Sequence, residues 1–343
     1  MSDTTSRELP ADLDIAVLLP CYNEGQSIAK VVMDFRRALP GRRIYVYDNN
    51  SSDDTAQQAA LAGAIVRACP RQGKGNVVRR MFADIEADVF IMADGDNTYD
   101  ASAAPALIQA LLDNHADMVV GTRNNVKVDA GRRGHAFGNR LFNIAYRSVF
   151  GTDFSDIFSG YRVFTRRFAK SFPAMSSGFE IETEMSVFAS TLRLPTVEVG
   201  THYGVRDEGS VSKLSSLKDG FKILRMIGTL MKETKPFVFF SYLALALLGV
   251  SMVSAAPVLV EYFSTGLVER MPTWVLSMAM LLASLIVFMA GVVLETVVRG
   301  QAETRHARYL SIAPARGEGG TVFARGQNTR STDAQPAIRE ISA

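Results

Sequence analysis

The chain reads Ile91-Met92-Ala93-Asp94-Gly95-Asp96 where an apolar run that begins at Val89 ends in two carboxylates. A short apolar run of this kind is typical of a strand that is buried on both faces of a parallel sheet. Side chains alternate along a strand, so Asp94 and Asp96 would point to the same side if the strand continued. In open α/β sheets, the carboxyl ends of the strands border the crevice in which ligands bind. The stretch therefore predicts a buried central strand that ends at a binding crevice.

The carboxylates of Asp94 and Asp96 predict a metal site. They would repel an anionic ligand unless a cation lay between. Mg²⁺ and Mn²⁺ prefer oxygen ligands and commonly link one or two carboxylates to the phosphates of a substrate. The hypothesis is a divalent metal, Mg²⁺ or Mn²⁺, held by Asp96 and Asp94 together with a diphosphate. The alternative is an acidic surface turn, because Asp, Gly and Asn are common in turns.

Strand and helix patterns alternate on both sides of this stretch. Apolar runs that predict strands begin at Ile15, Ile44, Ala64 and Met118, and segments with helical spacing lie between them. Such repeats predict an α/β domain with a Rossmann-like, mainly parallel sheet. Right-handed crossovers would place the polar loops after the strands along one edge of the sheet, where convergent polar groups favour a binding site over a surface turn. Those loops carry Tyr22, Asn23, Glu24, Asp48, Asp53, Lys74, Asp94, Asp96 and Arg123.

Charge and cysteine content exclude some classes of protein. The formal net charge is +2, so no strong positive field indicates a nucleic-acid partner. The two cysteines, Cys21 and Cys69, provide no disulfide framework and fit a reducing compartment. The N-terminus lacks the basic and then apolar pattern of a signal peptide, and residues 1–13 are expected to be a disordered lead-in.

Two segments near the C-terminus are long and apolar. Residues 237–260 contain no charged side chain, and residues 274–298 contain one, Glu295. As helices, they would span about 36 Å and about 38 Å at about 1.5 Å per residue, and both lengths exceed the roughly 30 Å of the hydrocarbon core. They predict two transmembrane helices within residues 236–298, and therefore a multi-pass protein. The alternative is a pair of buried core helices, although such helices rarely run this long without charge.

The flanks of these segments predict how the chain meets the membrane. Residues 213–235 combine an apolar stripe with six basic residues, which predicts an amphipathic helix at the level of the lipid headgroups. The alternative is an amphipathic helix that packs on the globular domain. Basic residues flank the outer ends of the pair, so the positive-inside rule places both termini and the globular domain at the cytoplasmic face of the plasma or inner membrane. Residues 299–343 show no periodicity and are expected to be a disordered cytoplasmic tail.

Seven polar motifs occur in one order within residues 14–235. They are Pro20-Cys-Tyr-Asn-Glu24, Asp48-Asn-Asn-Ser-Ser-Asp-Asp-Thr55, Gly73-Lys74-Gly75, Asp94-Gly-Asp96, Gly121-Thr-Arg123, Ser159-Gly-Tyr-Arg162 and Arg206-x-x-Gly209-x-x-Ser212-Lys213. In this order they resemble family 2 GT-A glycosyltransferases, and more narrowly dolichyl-phosphate mannose synthases and bacterial polyprenyl-phosphate glycosyltransferases. The resemblance implies a GT-A catalytic domain over residues 14–212. One departure is Asn49, because the family usually has an aspartate there.

The resemblance also implies roles for individual residues. By position, the nucleotide pocket would be lined by Pro20, Tyr22, Glu24, Asp48, Lys74 and Ala93. Asp94 would contact the ribose or the sugar, and Asp96 would hold the metal. The phosphates of the donor and of the lipid would be met by Arg123, Arg133, Arg206 and Lys213. The residues expected to carry catalysis are Asp94, Asp96, Arg123, Arg206 and Lys213.

The implied reaction is inverting transfer of a hexose or N-acetylhexosamine from a UDP- or GDP-sugar to polyprenyl phosphate. The lipid-phosphate sugar would serve the assembly of cell-envelope glycans or glycoconjugates. The implied partners are the nucleotide sugar, the polyprenyl phosphate and membrane lipids, while association into a homo-oligomer stays open. One alternative is a processive polysaccharide synthase of the same fold, although its Gln-x-x-Arg-Trp motif is missing because Thr273 precedes Trp274, the only tryptophan. Another is a non-catalytic membrane adaptor that binds a nucleotide sugar.

Several of these residues also have ordinary structural interpretations. Lys74 could be a solvated surface side chain. Residues 180, 182 and 184 are glutamates that could form an exposed acidic first turn of a helix, which the helix dipole would favour, or take part in catalysis. Ser27 and Asp53 could cap helices. The sequence leaves these alternatives open.

Overall fold

The computed structural model describes residues 9–124, 154–178, 180–204, 231–232 and 234–314. The predictions for Arg133, Arg206 and Lys213 fall outside the described residues, as does most of the amphipathic segment 213–235. The same holds for residues 1–8 of the predicted lead-in and residues 315–343 of the predicted tail. The expectation of disorder is wrong for residues 9–13 of the lead-in, because Leu13 is buried and Leu9 packs against the core of the domain.

The described strands form one seven-stranded sheet. They are β1 (Ile15–Cys21), β2 (Arg43–Asp48), β3 (Ile65–Ala68), β4 (Val89–Met92), β5 (Met118–Asn124), β6 (Arg162–Thr165) and β7 (Thr196–His202). Their order across the sheet is β3-β2-β1-β4-β6-β5-β7. Every pair of neighbours is parallel except those of β6, which runs antiparallel to β4 and β5. The predicted α/β domain with a mainly parallel sheet is confirmed.

Helices cover both faces of this sheet. They are α1 (Ile28–Ala38), α2 (Thr55–Leu61), α3 (Lys74–Asp84), α4 (Ala104–Asp113), α5 (Arg166–Ser171) and α6 (Ile181–Leu192). One apolar layer joins α1 and α4 to the sheet, and a second layer joins α3, α5 and α6 to the opposite face. Along β4, Ile91 contributes to the first layer and Phe90 to the second, and both are fully buried. The apolar run before Asp94 is therefore a central strand that is covered on both faces.

Two further helices, α7 (Pro236–Thr265) and α8 (Met271–Ser311), are long and apolar enough to cross a membrane. With 30 and 41 residues, they extend beyond the predicted segments 237–260 and 274–298. The expectation of a disordered tail from residue 299 is wrong for residues 299–311, which continue α8. Residues 301–312 contain no glycine or proline, and Ala, Glu, Gln and Arg extend a helix that has already formed at low cost.

Small residues let α7 and α8 approach closely. Ser277, Ser284 and Gly291 recur every seven residues and are the buried residues of α8. The hydroxyl of Ser284 donates a hydrogen bond to the carbonyl oxygen of Ala244 at 2.8 Å. The hydroxyl of Ser251 donates to the carbonyl oxygen of Ser277 at 2.8 Å. A seven-residue repeat of small and hydroxyl-bearing residues is typical of closely packed helix pairs in membranes.

The one charged side chain of the second predicted segment lies at the base of this hairpin. The carboxylate of Glu295 accepts a hydrogen bond from the backbone N–H of Phe237, in the first turn of α7, at 3.3 Å. The N-terminus of a helix favours an anion, so this charge lies where its cost is lowest.

Replacing Gly291 with leucine should destabilise the hairpin. A Cβ at position 291 would lie 2.8 Å from the Cβ of Phe240, which is too close for two carbons that are not bonded. Overpacking of this kind typically costs about 1–3 kcal/mol. The matched control is Gly300→Leu, because a Cβ at position 300 would meet no described atom within 4 Å. Thermal unfolding in detergent should separate the two variants, and equal unfolding temperatures would contradict this packing.

Candidate active site

The carboxyl ends of β1, β2 and β4 lie along one edge of the sheet. Cys21, the last residue of β1, pairs in register with Asp48, the last residue of β2. Asp94 and Asp96 follow β4, which is the neighbour of β1 on its other side. Burial raises the pKa of the Cys21 thiol, and the nearby carboxylates add to that shift. These carboxylates belong to Glu24, Asp94, Asp48 and Asp96. The predicted polar loops therefore meet around one buried thiol.

Lys74, the first residue of α3, lies between two carboxylates. Its ammonium forms ion pairs with Asp94 and with Glu182, the latter at 2.5 Å, and only 8% of its side chain is exposed. Burial alone would lower the pKa of Lys74, but the charges of Asp94 and Glu182 outweigh burial and raise it. The interpretation of Lys74 as a solvated side chain is wrong. The lysine instead joins the strand end at Asp94 to helix α6.

Glu182 is one of the three glutamates for which the sequence left open both an exposed acidic turn and a role in catalysis. The residue is 4% exposed, and its Oε2 atom has no hydrogen-bond partner within the described part of the chain. Burial raises the pKa of Glu182, while Lys74 opposes that shift. The interpretation as an exposed acidic turn is wrong for Glu182, although Glu180 is exposed. The signal in the sequence is an acidic residue on the same helical face as Met185 and Ala189.

The glycines of Gly73-Lys74-Gly75 make room for a neighbouring segment of backbone. A Cβ on Gly73 would overlap the carbonyl oxygen of Ser177, and one on Gly75 would overlap that of Ser176. Gly73 also has a φ of 122°, which side chains other than glycine rarely adopt. These two glycines therefore let residues 174–177 pack against the start of α3, close to Lys74.

Residues 174–177 are fixed by hydrogen bonds at both sides. Arg79 of α3 donates to the carbonyl oxygens of Ala174 at 2.7 Å and Met175 at 3.0 Å. Glu184 of α6 accepts from the backbone N–H groups of Met175 at 2.8 Å and Ser176 at 2.7 Å. Glu184 is therefore a structural residue in this fold, not part of an exposed acidic turn.

Asn49, the departure from the family pattern, has its side-chain amide fully occupied. Its Nδ2 donates to the carbonyl oxygens of Cys69 and Arg71, both at 2.9 Å. Its Oδ1 accepts from the backbone N–H of Gly73 at 2.7 Å, and the residue is 4% exposed. An aspartate has no N–H groups with which to replace the two donated bonds. Asn49 thus ties the end of β2 to the segment that leads into α3.

Asp96 and Asp48 differ in how their oxygens are used. Asp96 is 6% exposed, and its Oδ1 accepts hydrogen bonds from the backbone N–H of Thr98 at 3.2 Å and from its hydroxyl at 2.5 Å. These bonds fix the orientation of the carboxylate. The Oδ1 of Asp48 is buried and has no hydrogen-bond partner among the residues that the structure describes. A buried carboxylate oxygen of this kind is suited to a ligand, because leaving it unpaired is costly.

Arg123, at the end of β5, forms a two-pronged ion pair with Asp156. The distances are 2.8 Å from Nε to Oδ2 and 2.7 Å from Nη2 to Oδ1. Burial alone would raise the pKa of Asp156, but Arg123 outweighs burial and lowers it. The guanidinium also lies 5.6 Å from the centre of the Tyr203 ring. A phosphate that binds Arg123 must therefore share the guanidinium with Asp156.

The Ser159-Gly-Tyr-Arg162 motif lies next to the ion pair between Lys74 and Asp94. A Cβ on Gly160 would lie 2.9 Å from Asp94 Oδ2 and 3.1 Å from Lys74 Nζ. Glycine at this position therefore lets the backbone approach both charged groups without crowding them. Arg162 is fully buried, and its guanidinium donates to the carbonyl oxygens of Ser159 at 2.9 Å and Ile157 at 2.8 Å. Arg162 is thus a structural residue that shapes the loop before β6.

The loop after β1 is tied to both neighbouring strand ends. Ser27 stands at the N-cap position of α1, but its hydroxyl makes no cap and instead donates to the carbonyl oxygen of Gly95 at 2.8 Å. Asp53 accepts from the backbone N–H groups of Gly25 at 3.0 Å and Thr55 at 3.1 Å. Asp54 stands at the N-cap position of α2 but its side chain makes no cap hydrogen bond, so the carboxylate that accepts from the first N–H of α2 is that of Asp53, one residue earlier.

The remaining predicted pocket residues lie on the same edge with different exposures. Tyr22 is 41% exposed, whereas Ala93 is fully buried behind Asp94. The backbone N–H of Glu24 donates to the hydroxyl oxygen of Thr55 at 2.8 Å, and Pro20 is the next-to-last residue of β1. The described edge therefore brings together Pro20, Tyr22, Glu24, Asp48, Lys74, Ala93, Asp94 and Asp96.

Comparison with known proteins gives this arrangement a family context. A family model described as Glycosyl transferase family 2 matches residues 16–172. Glycosyltransferase AglJ of Haloferax volcanii is 33% identical over 291 residues, which are 84% of this chain and 95% of that protein. Dolichol-phosphate mannosyltransferase of Pyrococcus furiosus is 27% identical over 253 residues, which are 68% of this chain and 69% of that protein.

The fold also matches solved structures. Glucosyl-3-phosphoglycerate synthase of Mycobacterium tuberculosis, determined in complex with Mn²⁺, UDP-glucose and phosphoglyceric acid, superposes with a TM-score of 0.53. The match covers 65% of this chain and 80% of that chain at 24% sequence identity. At this identity the likeness concerns the fold alone.

Replacing Glu182 with alanine should destabilise the domain. Loss of one partner of a buried ion pair typically costs about 3–5 kcal/mol, and the remaining bond from Lys74 to Asp94 should keep the loss near the lower figure. The matched control is Glu180→Ala, an exposed position of the same turn, with an expected change within about 0.5 kcal/mol. Urea unfolding of both variants would measure the difference. Similar losses in the two variants would contradict the role assigned to Glu182.

Replacing Asn49 with aspartate should also destabilise the domain, although the family usually has aspartate there. Two donated hydrogen bonds would be lost, and a carboxylate would face two carbonyl oxygens, at a cost of about 2–3 kcal/mol. The matched control is Asn50→Asp. It makes the same chemical change at the neighbouring asparagine, whose amide also donates to a carbonyl oxygen, that of Pro70, but is exposed to water. The loss of stability in this variant should therefore be smaller. Stability is measured as the midpoint of urea unfolding. If the midpoint of Asn49→Asp equals that of the unchanged protein, the segment before α3 does not depend on this amide.

Proposed function

The chain belongs to glycosyl transferase family 2, and we propose that it transfers a monosaccharide from a UDP- or GDP-sugar to polyprenyl phosphate. The transfer takes place at the cytoplasmic face of the plasma or inner membrane and inverts the anomeric carbon. The product is a lipid-phosphate sugar for the assembly of cell-envelope glycans or glycoconjugates.

One observation carries this proposal: two apolar helices belong to the same chain as the carboxylates at the carboxyl edge of the sheet, and α8 also contacts the domain that bears them. These carboxylates, here called the carboxylate cluster, are those of Glu24, Asp48, Asp94 and Asp96. An enzyme tied in this way to a membrane is suited to an acceptor that itself lies in the membrane, because proximity then comes from the anchor. The name of the Pyrococcus furiosus relative, a dolichol-phosphate mannosyltransferase, agrees with a lipid phosphate as acceptor.

The donor is proposed to bind along the carboxyl edge of the sheet. Its nucleotide would be lined by Pro20, Tyr22, Glu24, Asp48 and Ala93. Lys74 would hold Asp94 in position beside the sugar or ribose. The anionic groups of donor and acceptor would be met by Arg123, and by the residues outside the described ranges, Arg133, Arg206 and Lys213. Arginine suits this role because its guanidinium can bind a phosphate through two hydrogen bonds.

The residues of this edge also fit a divalent metal, Mg²⁺ or Mn²⁺. Within the described ranges, no group of three or more side chains could hold a metal ion by itself. Mg²⁺ in phosphate-handling sites commonly takes one or two carboxylates and completes its shell with substrate phosphates and water. Asp96, fixed by Thr98, would hold the metal, with Asp94 beside it. When bound, the metal supplies positive charge to the diphosphate leaving group.

The bond changes are those of a single displacement. A phosphate oxygen of the acceptor attacks the anomeric carbon, and the bond from that carbon to the diphosphate oxygen breaks on the opposite side. The phosphate is already ionised near neutral pH, so it needs no strong general base. The main barrier is the approach of two anions, and the cationic side chains lower it by offsetting the incoming charge.

Two alternatives give different products in the same assay. A processive polysaccharide synthase would yield a polymer, and a non-catalytic adaptor would bind nucleotide sugar without product. The purified protein is incubated with radiolabelled UDP- and GDP-sugars and with polyprenyl phosphate, and the products are separated. A lipid-linked monosaccharide is the expected outcome, whereas a polymer, or no product in the presence of donor binding, would overturn the proposal.

Replacing Asp96 with asparagine should lower transfer by about a hundredfold or more, because the metal loses its charged ligand. A chelator should have the same effect on the unchanged protein, and added Mg²⁺ or Mn²⁺ should restore transfer. The control is Asp113→Asn, an exposed position at the end of α4. Unfolding temperature should remain unchanged in both variants. Full transfer in the presence of chelator would contradict the metal.

A further inference from the structure

The last turns of α8 extend beyond its apolar part and reach the globular domain. Arg299, Arg305 and Arg308 lie on this extension, and most of its side chains are exposed. The partly buried positions from residue 299 onward are Ala302, Tyr309 and Ile312. The extension therefore stands in solvent along most of its length and contacts the domain mainly near its end.

The end of the helix binds to a docking site on the globular domain. The hydroxyl of Tyr309 donates a hydrogen bond to Asp117 Oδ2 at 2.7 Å. Asp117 is 6% exposed, and its Oδ1 accepts from the hydroxyl of Thr165 at 2.7 Å, which fixes the carboxylate. Arg167 Nε donates to the carbonyl oxygen of Ile312 at 2.9 Å. The guanidinium of Arg167 also lies 5.8 Å from the centre of the Tyr309 ring, which packs against the apolar layer of α3, α5 and α6.

This docking site lies at the edge of the sheet opposite the carboxylate cluster. Asp117 directly precedes β5, and Arg167 lies in α5 directly after the antiparallel strand β6, so both are at the amino ends of the parallel strands. From Met118 to Arg123, β5 rises about 17 Å at about 3.3 Å per residue. From Val298 to Tyr309, α8 rises about 16 Å at about 1.5 Å per residue. The extension is thus about as long as the sheet is high.

We propose that Tyr309, Asp117 and Arg167 form a latch that holds the carboxyl edge of the sheet toward the membrane surface. The latch holds the amino edge of the sheet at the far end of the helical extension, and the extension is about as long as the sheet is high. The opposite edge, with the carboxylate cluster, is therefore placed level with the end of the apolar part of α8 and with the lipid headgroups. The three residues are positioning residues, because they act through the orientation of the domain. The inference rests on the proposed function, in which the acceptor phosphate lies at that surface.

The latch should matter for an acceptor held in a membrane and not for one free in water. Transfer is measured with long-chain polyprenyl phosphate in proteoliposomes and with citronellyl phosphate, a short soluble acceptor, at matched donor concentration. Tyr309→Ala and Arg167→Ala each remove contacts from one side of the latch. Tyr309→Phe removes the hydroxyl and keeps the ring. Leu310→Ala is the matched control, because Leu310 is the next residue of the helix and is 63% exposed.

In proteoliposomes, we expect Tyr309→Ala to lower transfer roughly tenfold, the factor typical of one lost charge-assisted hydrogen bond, and Arg167→Ala to act in the same direction. Tyr309→Phe should have an intermediate effect, and Leu310→Ala should have none. Transfer to citronellyl phosphate and the affinity for donor should stay unchanged in all four variants. This split between acceptors is one that a general loss of stability would not produce.

The opposing outcomes are distinct. Equal losses with both acceptors would mean that the contact only stabilises the fold, and unchanged transfer in proteoliposomes would mean that the contact does not orient the domain. Either result overturns the latch while leaving the proposed function in place. Absence of transfer by the unchanged protein to both acceptors would overturn the proposed acceptor, and the latch with it.

Discussion

The site depends on the placement of one buried ammonium between two carboxylates. Lys74 pairs with Asp94 after the central strand and with Glu182 on α6, in a region where water has little access. Buried charges are stable only when their partners are held in place. Much of the surrounding structure does this work: Gly73 and Gly75 admit residues 174–177, Arg79 and Glu184 fix that segment, and Gly160 leaves room beside the pair.

This constraint also explains the division of labour among the charged residues. Lys74 forms ion pairs with both Asp94 and Glu182, so two carboxylates share its single positive charge. Glu182 is the more deeply buried of the two, and Asp94 lies on the side of the strand end. Asp96 is oriented by Thr98, and Asp48 keeps one buried oxygen without a hydrogen-bond partner in the described structure. The carboxyl edge is therefore acidic, with Asp94 and Asp96 oriented by their neighbours, an arrangement that suits the proposed divalent metal.

The two edges of the sheet have different tasks. The carboxyl edge carries the residues proposed for chemistry, while the amino edge receives the end of α8 through Tyr309. Between α7 and α8, serine and glycine at seven-residue spacing allow close packing of the two helices. The hairpin, its helical extension and the sheet thus form one connected framework.

The sequence by itself determined the mainly parallel sheet, the strand that ends at Asp94 and Asp96, and the two long apolar helices. These features depend on local periodicity and on the order of polar loops, both of which can be read along the chain. Only the tertiary structure decided that Glu182 faces Lys74, that Glu184 and Arg162 are structural, that Asn49 ties down the segment before α3, and that α8 continues to Tyr309. Each of these depends on contacts between residues distant in sequence, and a buried charge differs from an exposed one only through the neighbours that folding brings to it.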